Sequence, residues 1–99
     1  MATKVHRSKG NVFRDVGFPP GEAENLRVRS ELMIQVRTIL EGQKLTQSAA
    51  AQLFGVTQPR MSDLVRGRIE LFSIDGLVNM LAHAGVRVSI VVKPARRVA

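Results

Sequence analysis

Residues 45–67, LTQSAAAQLFGVTQPRMSDLVRG, place Gly55 between two short runs whose apolar residues recur every three or four positions. No other feature of the chain constrains its fold as much. Ala49, Ala50, Leu53 and Phe54 share a face of the first run, and Met61, Leu64 and Val65 share a face of the second. Thr46 and Thr57 stand where a hydroxyl caps a helix, and Gly55 and Gly67 stand where one stops. Pro59 falls in a first turn, where no intrahelical N–H bond is lost. The spacing predicts two helices joined by a tight turn, with small Ala50 at their crossing and Val56 plugging the corner. One continuous helix would bury the same side chains. The break therefore serves another end: it holds the second helix out from the bundle.

The rest of the chain supplies a frame for that unit. Its 99 residues, 44% hydrophobic, suffice for one domain with a modest core. Glu22 and Glu24 suit a helix N-terminus. Leu26, Met33, Val36 and Leu40 then follow helical spacing, with Leu32 and Ile39 beside them, and Gly42 is expected to close a helix over 22–41. Ser73 caps a further helix, SIDGLVNMLAHAG, with Ile74, Leu77, Val78 and Leu81 inward and Gly85 as its stop. In VRVSIVVKP the period changes to two, which reads as a strand ended by Pro94. A lone strand leaves both edges unpaired. The simplest partner is the same strand of a second copy, giving a two-fold homodimer through Val86, Val88, Ile90 and Val92. The alternative is an intramolecular pair with VFRDV at 12–16. The expected architecture is mainly all-α: five or fewer helices, a central helix-turn-helix, and one C-terminal β-strand. Residues 1–21 form an arm and packing segment, 22–85 the bundle, 86–93 the dimerisation strand and 94–99 a tail.

Charge narrows the partners. Fifteen Lys and Arg against eight Asp and Glu leave a net +7, which suits a polyanion. The chain has no Cys, so disulfides and thiolate metal sites are excluded. No apolar run approaches the roughly 18 residues of a membrane span, and residues 1–18 are basic without the continuous apolar h-region of a secretory signal, so a cytoplasmic protein is expected. His6 and His83 are the only histidines, and no paired carboxylates, phosphate-cradling glycine loop or metal-ligand spacing accompanies them. Neither an enzyme nor a cofactor or metal site is expected; His83 suits the negative end of a helix. Aromatics are 4%, all Phe, which disfavours a reader of single-stranded nucleic acid. No helix has the basic face of a membrane-surface binder. Double-stranded DNA is the favoured partner.

Two helices with a held-out second member match the helix-turn-helix pattern. The outward residues of the second helix are Thr57, Gln58, Arg60, Ser62 or Asp63, and Arg66. Gln pairs with adenine and Arg with guanine in the major groove. Phosphates suit Thr46, Gln47 and Ser48 at the opening of the first helix, together with Lys44, Arg66 and Arg68.

The stretch resembles the Xre/Cro/CI-type helix-turn-helix family, with Leu45, Thr46, Gln47, Ala50, Leu53, Gly55, Val56, Gln58, Ser62, Leu64 and Gly67 matching its pattern. Phe54 and Met61 replace the usual Leu and Ile. Upstream, SKGNVFRDVGFPPGEAENLRVRSELM resembles the opening of HigA-like antitoxins, and with VRVSIVVKP the match spans about residues 8–94. The resemblance implies a protein that neutralises a HigB/RelE-like mRNA endonuclease and represses its own operon, or a stand-alone repressor. It places DNA-facing positions at Gln47, Thr57, Gln58, Arg60 and Met61 or Ser62. Pro59 departs from the pattern and removes one N–H that could hold a phosphate. A toxin contact would fall on Val12, Phe13, Arg14, Val16 and Phe18, residues that serve equally well to cover one end of the bundle.

Overall fold

The computed structural model describes residues 11–94; the expectations for the arm before residue 11 and for the tail after Pro94 lie outside them. Five α-helices and a 3-10 turn follow in order: α1 (Val12–Asp15), α2 (Pro20–Gly42), α3 (Gln47–Phe54), α4 (Gln58–Val65), the turn Ile69–Leu71, and α5 (Ile74–His83).

Each helix begins and ends for a local reason. Thr46, Thr57 and Ser73 cap α3, α4 and α5 by accepting from the backbone N–H three residues on. Pro20 opens α2 at its first position, so that helix starts two residues earlier than predicted. Its last residue is Gly42, and the left-handed turn falls on Lys44 at φ 54°. The expected glycine stop is thus displaced. The Leu45 N–H reaches the Leu40 carbonyl at 3.0 Å and the Lys44 N–H reaches Glu41 at 3.1 Å, the paired bonds of a Schellman motif. Leu45 packs on the core as the apolar residue after the turn, so its position fixes where the left-handed residue must fall.

The core gathers around α2, α3, α4 and α5. Val36, Phe54, Met61, Leu64, Leu77 and Leu81 are its largest fully buried side chains. Ala50 and Ala51, 0% and 5% exposed, give α4 room to cross α3 closely. Burying each large apolar side chain contributes about 1.5–3 kcal/mol.

The two ends of the chain depart from expectation. VFRDV is helical: Asn11 caps α1 by accepting from the Phe13 N–H at 2.9 Å, and its side-chain amide donates to the Ala23 carbonyl at 3.0 Å. Phe13 and Phe18 meet edge to face across the turn, ring centroids 6.2 Å apart. That helix removes the intramolecular partner considered for the C-terminal segment. Among the described residues no strand forms at 86–94. The alternating pattern specifies a sheet face, but a strand also needs a ladder of hydrogen bonds to a second strand, and the described residues supply none. Val86 and Val88 pack against the core, whereas Ile90, Val91 and Val92 stand 76%, 81% and 90% exposed.

Candidate nucleic-acid interface

The turn between α3 and α4 is set from behind. Gly55 adopts φ 70°, and a Cβ there would lie 2.7 Å from the His83 ring. The ring is held by its Nδ1 at 2.9 Å from the Leu53 carbonyl. Val56 follows, its N–H on the Ala51 carbonyl at 2.9 Å. The chain therefore leaves α3, turns under the end of α5 and enters α4 in one fixed direction.

Along α4 the exposed edge carries the predicted polar residues. Thr57, Gln58, Pro59 and Arg66 are exposed; Ser62 and Asp63 are half-buried beside them. Met61 is 0% exposed. This corrects its proposed role: the side chain belongs to the core, because helical spacing places it on the same face as Leu64. At the start of α3, Gln47 is half-buried and Ser48 exposed, with Lys44 and Thr46 exposed before them. The backbone at Thr46 and the N-terminus of α3 thus lie on the same chain segment as the Lys44 ammonium.

Arg60 differs from the other arginines of this region. Its guanidinium carbon lies 4.4 Å from the centroid of the Phe72 ring. Phe72 is 3% exposed, so the ring is a fixed surface. Arg68 pairs with Glu70 at 3.0 Å, and that hydrogen bond, helped by the backbone of Glu70, holds the Glu70 carboxyl below the usual carboxylate range. Both groups are exposed, so the pair is weak and its arginine is free to exchange toward a phosphate.

Sequence reasoning missed Arg29. Its Nη1 donates to the carbonyls of Ile69 at 3.2 Å and Phe72 at 3.1 Å, and its Nε to Asn25 Oδ1 at 2.7 Å. It tethers the turn after α4 to α2. A signal was present: Arg29 falls in the stripe of Leu26, Met33 and Val36, where an apolar residue is expected.

Charge is unevenly spread. Lys4, Arg7, Lys9, Arg96 and Arg97 lie at the two ends of the chain, while residues 11–94 hold ten Lys and Arg against eight Asp and Glu. The helix-turn-helix itself is thus locally rather than globally basic.

No helix of the described residues is long and apolar enough to cross a membrane. No curated protein is significantly similar to the chain. A family model described as a helix-turn-helix domain matches residues 12–93. A solved structure described as an XRE family transcriptional regulator is similar over 79% of this chain and 90% of its own, at 31% identity and a TM-score of 0.69. With its capped α3, fixed turn and outward α4, the chain belongs to the helix-turn-helix family of XRE-type DNA-binding regulators.

Proposed function

We propose that the chain is an operator-binding antitoxin: it reads an inverted repeat as a two-fold homodimer, neutralises a small HigB/RelE-like mRNA endonuclease and represses its own operon. The observation that carries the DNA-reading half is the outer edge of α4, where exposed Thr57 and Gln58 and half-buried Arg60 and Ser62 follow one another on a helix set by the His83-backed turn. Gln58 and Arg60 read base edges, while Gln47 and Thr57 lie at the rim of the groove. Lys44, Thr46, Ser48, Arg66 and Arg68 hold phosphates.

The dimer rests on the C-terminal segment. Ile90 and Val92 are exposed and unpaired there, next to an open groove of about 720 Å³ between that segment and α2, lined by Leu32, Ile39, Val86 and Val88. A second copy would pair this segment and place two α4 helices about 34 Å apart, one turn of DNA. The toxin-binding half rests on the resemblance of residues 8–33 and on the apolar surface of α1, where Val12, Val16 and Phe18 are 61%, 69% and 39% exposed. Phe13 packs on Phe18 beneath them, with Arg14 at the edge.

A stand-alone repressor without a toxin is the second reading, favoured by the solved relative described as a transcriptional regulator. Co-expression of the tagged chain with the adjacent open reading frame, followed by a mobility shift on the shared promoter, separates them. A stable complex that shifts an inverted repeat supports the antitoxin. Specific DNA binding without a partner supports the lone repressor, and neither result removes both. Sedimentation of Ile90→Asp tests the dimer: the variant is expected to be a folded monomer, and wild type that is monomeric at high micromolar concentration overturns the pairing.

A further inference from the structure

Arg60 is the one arginine of the α4 region whose guanidinium sits over a buried ring, and that contact has consequences for how it reads DNA. An arginine on a helix surface samples many rotamers, and ordering it on binding costs conformational entropy. Here Phe72 supplies a face for the guanidinium at 4.4 Å. Stacking on a ring uses the face of the guanidinium and leaves its N–H donors in the plane, pointing outward. Among the described residues no carboxylate pairs with Arg60 and no protein acceptor takes its side-chain N–H groups; the ion pairs there belong to Arg27, Arg37 and Arg68. The platform is itself held. Phe72 is 3% exposed, and its carbonyl receives the Arg29 guanidinium at 3.1 Å, as does that of Ile69 at 3.2 Å.

We propose that Phe72 is a positioning residue for DNA reading: it holds Arg60 in a planar, fully donating orientation before DNA arrives, and Arg29 fixes Phe72 through the backbone on either side of the turn. This rests on the reading of Arg60 as a base contact. The α3–α4 motif is then supported by a third element, the Ile69–Phe72 connection, which touches no DNA and yet sets specificity. Preorganised donors lose less on binding than free ones. The effect concentrates on the matched base pair, because a fixed fork fits guanine O6 and N7 but has no such target on a mismatched sequence.

The test compares wild type, Phe72→Leu, Arg60→Ala and the double variant, all full length. Each is titrated against a duplex that wild type selects from a random pool and against a scrambled duplex of the same length. Phe72→Leu keeps the site apolar and all charge but is smaller and lacks a π face. It is expected to weaken the selected duplex between about twofold and thirtyfold and to leave the scrambled duplex unchanged. Arg60→Ala weakens both, and the double variant binds no more weakly than Arg60→Ala. Additive losses, an equal loss of Phe72→Leu on both duplexes, or no loss at all overturn the proposal. A second readout needs neither DNA nor a variant. The Arg60 side-chain methylene protons of free wild type are expected upfield of their ordinary NMR positions, shifted by the Phe72 ring current; ordinary positions overturn the proposal even where Phe72→Leu fails to fold. If wild type selects no duplex, the DNA-reading role of Arg60 fails and the proposal falls with it; an upfield shift then shows that the stacking was correct and the function was not.

Discussion

His83 closes the turn at Gly55 from behind: its ring lies where a Cβ on Gly55 would come within 2.7 Å, while its Nδ1 stands 2.9 Å from the Leu53 carbonyl. Two residues nearly thirty positions apart thereby fix the angle between α3 and α4. Gly55→Ala should cost more than the 1–2 kcal/mol of left-handed strain alone, because the added methyl must also displace the imidazole. Gly67→Ala supplies the comparison, since Gly67 has φ 76° and open space around it. Urea denaturation of both variants is expected to show the larger loss at Gly55. Adding His83→Ala to Gly55→Ala should recover part of that loss.

Lys44 carries the opposite prediction. It holds φ 54°, a conformation that is strained for any residue with a side chain. Lys44→Gly is expected to raise stability by about 0.5–1 kcal/mol, the relief of strain being partly offset by the greater freedom of the unfolded chain. If the ammonium holds a phosphate, the same variant binds DNA more weakly, and its salt dependence falls by about 0.9 in log–log slope. Stability and affinity then move in opposite directions. A variant that is both more stable and unchanged in binding removes Lys44 from the interface.

Met61 and Gln58 separate packing from reading on one short helix. Met61→Ala empties a fully buried site and is expected to destabilise by about 2–5 kcal/mol, with base preference retained at temperatures where the variant is folded. Gln58→Ala alters an exposed residue and should leave the melting temperature within about 2–4 °C. It is expected to cost roughly 1–3 kcal/mol on the preferred operator and to relax one base position. Thermal melts and a selection from random duplexes read the two effects independently.

Acid should unlock the start of α2 only slightly. The Arg27 guanidinium, through its hydrogen bonds to Glu24, holds that carboxyl below its ordinary value against an opposing burial effect. A carboxyl lowered in the folded state contributes stability above its unfolded value and loses it as pH falls through the folded one. The Glu24 side chain is 60% exposed, so the contribution is about 0.3–0.5 kcal/mol. Glu24→Gln is expected to be less stable by that amount at neutral pH and to match wild type below the carboxylate range. Chemical denaturation at pH 7 and pH 3 checks both limbs.

The sequence by itself determined the existence of α2 to α5 and the N-caps of α3, α4 and α5. Thr46, Thr57 and Ser73 cap as read, and Gly55, Gly67 and Gly85 take left-handed conformations where stops were expected, because capping and chain reversal depend on a few adjacent residues. The helical faces were legible for the same reason: Leu64, Leu77 and Leu81 are buried as their spacing requires. Only the tertiary structure decided what depends on residues distant in the chain. Met61 is buried as its spacing with Leu64 requires, and the DNA-facing role that the family resemblance implied for it is the part the structure removes. VFRDV coiled into α1 because Asn11 found both the Phe13 N–H and the Ala23 carbonyl. The period-two segment after Gly85 formed no strand because a ladder needs a second strand that the described residues do not contain. Arg29 lies 43 residues before Phe72, and Arg60 sits on a different element from either, so no local pattern could join them; the packing of α2 against the turn after α4 brings them together.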